Sequence, residues 1–356
     1  MQSTSWSRRL VLSLAVGLLA GLAACDKKDT KDTKGTPPPP SGNGGAKLAP
    51  AKVIKVGMLP KKKGVPYFTS CAKGAEEAAK ELGIDLVYDG PTDGSPEKAA
   101  SMIERWTAQG FDVIAVSPND PSVLAPAMKA AMAKGIKVIT WDADGAPDTR
   151  SFMVNQATSK DIGNALVDTM VKDLGGKDKA TGDAAIVTAT LTAANQNEWI
   201  AVMKERLKDY PGLNLVEIKP SNEDQRVAFQ VTKDLIAAYP KLRGIWGISS
   251  VSFPAAAEAI KQSGKAGQVF VTGLSTPNDM KAAVKEGTVA SVILWNTVDL
   301  GYLTIHAANA IAKGDLKAGD TTLKAGRLGE KKIDGDKILL GDILVFTKDN
   351  IDQFDF

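Results

Sequence analysis

From residue 53 onward, short runs of apolar and β-branched residues alternate with longer amphipathic segments rich in alanine. In the first half of this pattern the predicted strands lie at 53–58, 84–88, 113–116 and 137–141, and the predicted helices at 68–82, 96–109 and 122–134. Strands that are apolar throughout are buried on both faces, and strands that alternate with helices form parallel sheets. The pattern therefore predicts a parallel sheet covered by helices.

A second series of the same kind begins near residue 151. Its predicted strands, with helical stretches between them, lie at 151–154, 184–188, 214–218, 242–246, 269–272 and 289–295. About 306 residues follow residue 50, which favours two lobes over a single hydrophobic core. We therefore expect an α/β protein with two doubly wound parallel-sheet lobes joined by a hinge.

The predicted lobe boundaries follow from these two series. The N-terminal lobe covers 51–154 and the C-terminal lobe covers 155–296. The remaining segment, 297–356, is expected to return a helix to the N-terminal lobe and then to supply a C-terminal hinge strand and tail.

The first 24 residues have the pattern of an export signal. Arg8 and Arg9 precede an apolar run over 10–24 that is interrupted by polar and glycine residues. The run falls short of the roughly 20 apolar residues that a spanning helix needs, and small residues come directly before Cys25. We expect cleavage before Cys25, a lipid on its thiol, and a location in the periplasm or cell envelope. A retained N-terminal membrane anchor is the alternative.

Residues 25–50 have the composition of a flexible linker. They consist largely of Lys, Asp, Thr, Gly and Pro, with four consecutive prolines at 37–40. Such a segment buries too little apolar surface to offset the entropy of ordering. We expect it to tether the lobes to the lipid.

Composition excludes several classes of function. The chain has 44 basic and 41 acidic residues, and removal of Arg8 and Arg9 with the signal leaves it almost neutral. A neutral domain lacks the basic footprint that binding to nucleic acid requires. His306 is the only histidine and Cys71 the only cysteine besides Cys25, so no ordinary zinc cluster and no internal disulfide can form. We expect Cys71 to be buried and unreactive, and His306 to have a packing or surface role.

Nothing in the sequence indicates an enzyme. Gly176-Lys177 is followed by Asp178, so it does not form a phosphate-binding loop. A general acid/base pair or a cation loop is an alternative interpretation of Asp142 and Asp144, but the stretch lacks the further ligands of an EF-hand. We expect no catalytic residues, no metal and no cofactor.

Polar and aromatic side chains follow the predicted strands at the points where the strands end. In open parallel sheets, ligands bind beyond the carboxyl ends of the strands. Carboxylates, amides and hydroxyls match the adjacent hydroxyls of a sugar, and aromatic rings cover its apolar faces. The predicted ligand-binding residues are Lys61, Phe68, Asn119, Asp142, Asp144, Asn195, Gln196, Trp199, Ser250, Ser275, Trp295 and Asn296.

Six segments, in order along residues 53–356, resemble the type I periplasmic binding proteins, in particular the branch of the rhamnose-binding and autoinducer-2-binding proteins of ABC importers. They are Met58-Leu59-Pro60-Lys61, Tyr67-Phe68-Thr69-Ser70, Thr140-Trp141-Asp142-Ala143-Asp144, Asn195-Gln196-Asn197-Glu198-Trp199, Gly273-Leu274-Ser275-Thr276-Pro277 and the tail from Phe346 to Phe356. The resemblance implies two lobes that close around a ligand, with three chain crossings, near Asn155, near Asn296 and close to a strand over 339–346.

The resemblance also implies roles for individual residues. In the autoinducer-2 branch, the ligand is held by a lysine, an aspartate and a glutamine that correspond to Lys61, Asp142 and Gln196. This sequence departs from that branch in three places: it has Asn195 in place of an aspartate, and Ile248 and Ser250 in place of a proline and an alanine.

Other segments are more similar to the rhamnose-type members, namely Asn195-Gln196-Asn197 and Trp295-Asn296. Ribose and galactose binders place an aspartate where this chain has Ser275. By this resemblance, Asp142 and Asn195 would accept hydrogen bonds from hydroxyls, Lys61 and Gln196 would donate, and Phe68 and Trp295 would line the site.

The expected function is therefore that of a monomeric binding lipoprotein that presents a monosaccharide or deoxysugar to an ABC permease in the inner membrane. The alternatives are an autoinducer-2-binding protein and a sugar sensor subunit for a membrane kinase or chemoreceptor.

Overall fold

The computed structural model describes residues 52–356. The predicted signal, the lipidation site Cys25 and the linker lie outside the described residues. The first half of the fold consists of β1 (Lys55–Leu59), α1 (Pro66–Leu82), β2 (Asp85–Tyr88), α2 (Pro96–Ala108), β3 (Val113–Val116), α3 (Pro121–Ala133), β4 (Lys137–Trp141) and β5 (Met153–Asn155).

The second half continues the alternation and ends in short strands. Its elements are α4 (Ser159–Asp173), β6 (Gly182–Thr188), α5 (Ala194–Arg206), β7 (Leu213–Pro220), α6 (Gln225–Ala238), β8 (Leu242–Gly247), α7 (Ser252–Gln262), β9 (Phe270–Gly273), α8 (Pro277–Glu286), β10 (Val292–Leu294), α9 (Thr297–Lys313), β11 (Thr322–Lys324), β12 (Glu330–Asp334), β13 (Lys337–Leu339) and β14 (Leu344–Phe346).

The N-terminal lobe contains an eight-stranded sheet in the order β11-β12-β13-β5-β4-β3-β1-β2. The six strands from β13 to β2 are parallel, and β12 and β11 add an antiparallel edge. Side chains of β3 alternate between two cores, with Val113 and Ala115 in the core formed with α1 and α9, and Ile114 and Val116 in the core formed with α2 and α3. Burial of both faces explains why the strands are apolar throughout.

Helices α1 and α9 pack unusually closely, because glycines face the partner backbone. A Cβ atom placed on Gly301 would lie 1.8 Å from the carbonyl oxygen of Cys71, and one placed on Gly74 would lie 1.8 Å from that of Val298. The hydroxyl of Thr297 also donates to that of Ser70 across this contact, at 2.6 Å. The return helix α9 is thereby held in the N-terminal lobe.

The C-terminal lobe contains a four-stranded parallel sheet in the order β7-β6-β8-β9. Two helix pairs, α4 with α5 and α6 with α7, pack on it. Beside this sheet, β10 and β14 form an antiparallel pair, which brings the C-terminal segment back to this lobe. The described part of the chain is thus an α/β fold with two parallel-sheet lobes.

The chain passes between the lobes three times, at 156–158, 295–296 and 340–343. Two predicted strands differ from the sequence pattern, and the edge strands β11 and β12 were not predicted. The strand predicted near 151–154 is β5, which belongs to the N-terminal sheet because it pairs in parallel with β4. Between these two strands the chain forms one 3₁₀ turn, Pro147–Thr149, in place of the usual connecting helix. The predicted strand over 339–346 is two strands in different lobes, interrupted at Gly341.

Cys71 and His306 are both buried, and the His306 ring packs on Tyr302 with ring centroids 4.5 Å apart. Over residues 52–356, no helix has the length and apolar character needed to cross a bilayer. Within the same range, no group of three His, Cys, Asp or Glu side chains could hold a metal ion.

A partly buried carboxyl at the end of α4, Asp173, is expected to make stability depend on pH. Asp173 accepts a hydrogen bond from the Ser291 hydroxyl at 2.7 Å, and burial raises its pKa to about 6. A carboxyl with a raised pKa stabilises the fold when protonated, and this contribution is lost as the pH rises through about 6. Between pH 4 and pH 8, the free energy of unfolding in urea should fall by about 1–3 kcal/mol more for the wild type than for Asp173→Asn. Parallel profiles for the two proteins would contradict this expectation.

Candidate functional site

A cavity lies between the lobes, at the carboxyl ends of the strands of both sheets. The free space between its lining atoms is about 410 Å³, part of it open to solvent. Its lining consists of Lys61, Tyr67, Phe68, Asp142, Asn195, Gln196, Trp199, Glu223, Ile248, Ser249, Ser250, Leu274, Leu294 and Trp295.

Asp142 is the central charged residue of the N-terminal wall. It directly follows β4 with a φ of 64°, a left-handed conformation that aspartate tolerates better than most residues. Its carboxylate accepts hydrogen bonds from the hydroxyls of Tyr67 and Ser117, both at 2.8 Å, and lies 3.3 Å from Lys61 Nζ. The side chain is only 5% exposed, so these partners stabilise a buried charge that could not otherwise be held there.

Tyr67 connects Asp142 to the second chain crossing. Its hydroxyl donates to Asp142 and accepts from the indole nitrogen of Trp295 at 3.0 Å. Burial, together with the nearby Asp142 carboxylate, raises the pKa of Tyr67 well above its usual value, so the hydroxyl remains a donor.

Two amides from the first turn of α5 form the facing wall. Asn195 Oδ1 accepts from Lys61 Nζ at 3.2 Å, and Asn195 Nδ2 donates to the carbonyl of Asp142 at 3.4 Å. Gln196 Oε1 accepts from the backbone N–H of Ala189 at 2.8 Å and from the Thr188 hydroxyl. The Gln196 carbonyl is thereby fixed, and no residue of the described range accepts a hydrogen bond from its Nε2.

A third link between the lobes lies beside the cavity. Lys62 Nζ donates to the backbone carbonyl of Glu223 at 2.8 Å. Together with the Lys61–Asn195 bond, it holds the two walls close to each other.

Aromatic rings supply the apolar part of the lining. Trp295 packs edge-on against Tyr67 and Trp199, with ring centroids 6.0 Å and 6.1 Å away. Phe68 packs edge-on against Tyr67 at 5.0 Å and against Trp141 at 5.7 Å. Such pairs keep the rings rigid, which preserves the shape of the cavity.

Eight of the twelve residues predicted from the sequence line this cavity: Lys61, Phe68, Asp142, Asn195, Gln196, Trp199, Ser250 and Trp295. The other four do not.

Asp144 turns away from the cavity and forms a two-pronged ion pair with the buried Arg150, at 2.8 Å from Nε and 2.6 Å from Nη2. It lines a neighbouring cleft instead. Asn119 donates to the carbonyl of Gly94 and lies in a second adjoining cleft. These two side chains follow the correct strands but point to other partners.

Ser275 and Asn296 have local structural roles. Ser275 is fully buried, with its hydroxyl 3.5 Å from the Asp279 carboxylate. Asn296 is the N-cap of α9 and accepts from the backbone N–H of Asp299 at 3.1 Å. Polar residues at the starts of helices commonly serve as caps, which is the competing role that the sequence pattern did not separate from binding.

The sequence interpretation missed three polar residues of the lining: Tyr67, Glu223 and Ser249. Tyr67 adjoins Phe68, and Ser249 adjoins Ser250. The prediction therefore identified the correct segments but not every residue of them that lines the cavity. Glu223 lies in the loop that follows β7, after Ser221 and Asn222, so the strand-end rule, applied to this strand as well, would have found it.

Comparison with known proteins gives a consistent result. The family model of the periplasmic binding protein domain matches residues 56–316. The ribose import binding protein RbsB of Salmonella typhimurium is 24% identical over 251 residues, covering 70% of this chain and 82% of RbsB.

Two solved structures are similar over most of the chain. LsrB from Clostridium saccharobutylicum, in complex with AI-2, is 28% identical with a TM-score of 0.80, covering 85% of this chain and 100% of that one. An ABC transporter solute binding protein from Clostridium phytofermentas with bound L-rhamnose is 28% identical with a TM-score of 0.78, covering 85% and 98%.

Proposed function

The chain belongs to the periplasmic binding protein family, and from this premise we propose that it binds a monosaccharide or deoxysugar between its lobes and presents it to the permease of an ABC importer. The single observation that carries this proposal is the cavity between the lobes. Its lining combines Asp142, Lys61 and the amides of Asn195 and Gln196 with aromatic rings. It is a transport binding protein and not an enzyme.

The lining matches the chemistry of a sugar. Asp142 and Asn195 provide acceptor oxygens, and Lys61 and Gln196 provide donors, so vicinal hydroxyls can be bonded from both lobes. Phe68, Trp199 and Trp295 offer rings to the C–H faces of the ligand.

The geometry also supports a closure mechanism. Lys61 belongs to one lobe and its partner Asn195 to the other, so a ligand that bonds to both favours the state in which the lobes are together. A ligand that contacts only one lobe has no such preference. The closed arrangement is the form that a permease would recognise.

Autoinducer-2 is the second candidate ligand. It is favoured by the joint presence of Lys61, Asp142 and Gln196 in the cavity and by the similarity to LsrB. The departures at Asn195, Ile248 and Ser250 favour a sugar instead, as does the rhamnose-bound structure.

A thermal-shift screen of the full chain tests the proposal. The panel comprises L-rhamnose, D-ribose, D-allose, D-arabinose, D-glucosamine and autoinducer-2. A ligand at 100 times its Kd adds about 2.7 kcal/mol of stability, which corresponds to a rise in Tm of at least about 4 °C. A rise with autoinducer-2 alone would favour the second candidate, and no rise with any member would contradict both.

We further propose that Cys25 is lipidated, that the protein is a monomer, and that residues 25–50 tether it to the membrane. The pattern of residues 1–25 supports the lipidation, and the composition of residues 25–50 supports the tether. Fractionation of cells should find the wild type with the membranes and Cys25→Ala largely released from them. A sugar sensor that acts on a membrane kinase or chemoreceptor would use the same tether and the same lobes.

A further inference from the structure

Glu223 is a carboxyl group in the cavity that lacks a partner for one of its oxygens. Its Oε2 is buried and makes no hydrogen bond within residues 52–356. The Ser249 hydroxyl is close enough to lower the pKa of this carboxyl, but it donates to the Ser252 hydroxyl at 3.1 Å. The residue lines both the main cavity and the adjoining cleft. A buried carboxylate oxygen without a hydrogen bond is costly, so such a group needs either a proton or a donor from elsewhere.

The nearby cations are already engaged. Lys61 pairs with Asp142 at 3.3 Å, and Lys62 Nζ donates to the backbone carbonyl of Glu223 rather than to its side chain. Among the described residues, no ion pair includes the Glu223 carboxyl. The Glu223 carboxyl therefore has no cation in direct contact, and Lys61 and Lys62 act on it only at longer range.

The backbone around Glu223 is strained in a way that fixes this arrangement. Asn222 has a φ of 54° and Glu223 a φ of 51°, both in the left-handed region. Asparagine tolerates this region, whereas glutamate is rarely found there, at a cost of about 1–2 kcal/mol. Strain of this kind is retained where surrounding contacts over-determine the backbone, and it clusters at binding sites. The Lys62 bond to the Glu223 carbonyl is one such contact.

We propose that Glu223 is a specificity-determining residue, whose free carboxyl oxygen accepts a hydrogen bond from a hydroxyl or ammonium group of the ligand. This inference rests on the proposed function and specifies it, because it requires the ligand to carry a donor at the β7 side of the cavity. A molecule that presents only a C–H group there leaves the carboxyl buried and unpaired. The site therefore discriminates among sugars of similar size by the presence of that donor.

The two kinds of donor make different demands on the carboxyl. Burial raises the pKa of Glu223, while Lys61 and Lys62 oppose the rise. A neutral hydroxyl needs only an acceptor oxygen, which an amide also supplies. An ammonium group is held mainly by charge and requires the ionised carboxylate.

The test is calorimetric titration with whichever sugar of the panel stabilises the wild type, together with its monodeoxy analogues. Glu223→Met keeps the size of the side chain but removes the acceptor, and we expect it to bind that sugar about 10- to 100-fold more weakly. One monodeoxy analogue should bind the wild type more weakly by a similar factor, yet bind Glu223→Met almost as well as the full sugar does. Glu258→Met, at an exposed position on α7, is the matched control and should bind as the wild type does.

Glu223→Gln distinguishes the two donors. It should bind a neutral sugar within about fivefold of the wild type, and an amino sugar such as D-glucosamine more than 10-fold more weakly. Binding of every analogue to Glu223→Met within twofold of the wild type would overturn the inference. So would a uniform loss for all analogues, which would indicate a structural role. Because the proposed function fails only if no sugar binds the wild type, the two failures are distinguishable.

Discussion

Replacement of Asp142 by asparagine is expected to weaken sugar binding by about 10- to 100-fold. Asparagine has the same shape and tolerates the φ of 64° at this position. However, it has one acceptor oxygen where the carboxylate has two, so it cannot serve both Tyr67 and Ser117 as acceptor. It also leaves the Lys61 cation, only 16% exposed, without its counter-charge. Loss of the hydrogen bond from a sugar hydroxyl to the charged carboxylate costs about 1.5–3 kcal/mol, and isothermal calorimetry with the sugar found in the screen measures the effect.

Asp144→Asn is the matched control for this experiment. Asp144 lies two residues away and was predicted to bind ligand, but it pairs with Arg150, whose side chain is 2% exposed. We expect Asp144→Asn to lower the Tm while changing affinity by no more than about threefold, since its partner lies outside the cavity. Equal losses of affinity in the two variants, or unchanged affinity in Asp142→Asn, would contradict the assignment of Asp142 to the site.

Gly301→Ala is expected to lower the free energy of unfolding by more than about 3 kcal/mol. In an ordinary helix this change would stabilise the protein by up to about 1 kcal/mol. Here the added methyl group would lie 1.8 Å from the Cys71 carbonyl oxygen, so the backbones of α1 and α9 must separate. Because this contact holds the return helix in the N-terminal lobe, its loss disturbs the whole lobe. Urea unfolding monitored by circular dichroism measures the change.

Lys73→Ala controls for substitution near the same contact. Lys73 is exposed on α1, next to Gly74, and its replacement adds no atom to the interface. We expect a change within about 0.5 kcal/mol. A Gly301→Ala protein as stable as the wild type would show that α1 and α9 can move apart without cost.

Most of the fold was predictable from hydrophobic periodicity, because both sheets are parallel and buried. The predicted strands 113–116 and 137–141 match β3 and β4 residue for residue. The pattern failed at β5, which is short and is not separated from β4 by a helix. It also failed at β13 and β14, two three-residue strands that lie in different lobes but are nearly continuous in sequence. Assignment of such strands depends on tertiary pairing, which periodicity does not record.

The candidate site was predictable to the extent that strand ends identify it. Asp142 directly follows β4 and Lys61 comes just after β1, and the backbone path alone brings them together. Asp144 and Asn296 also follow strands, but Arg150 and the start of α9 provide closer partners. Tyr67 needed the three-dimensional arrangement, since its role comes from the contact with Asp142, which is distant in the sequence. The strand-end rule could have located Glu223, but only the structure shows that its Oε2 lacks a hydrogen bond.

The position of the tryptophans has a practical consequence. Trp199 and Trp295 line the cavity, and the Trp295 indole N–H is bonded to Tyr67 at 3.0 Å. Trp106, Trp141 and Trp246 are buried in the lobe cores. Any occupant that alters the polarity around the first two rings, or their hydrogen bonding, will shift the ultraviolet emission of the unlabelled protein against a nearly constant background. The molecule thus carries an intrinsic optical reporter, with which the rates of capture and release can be followed by stopped flow.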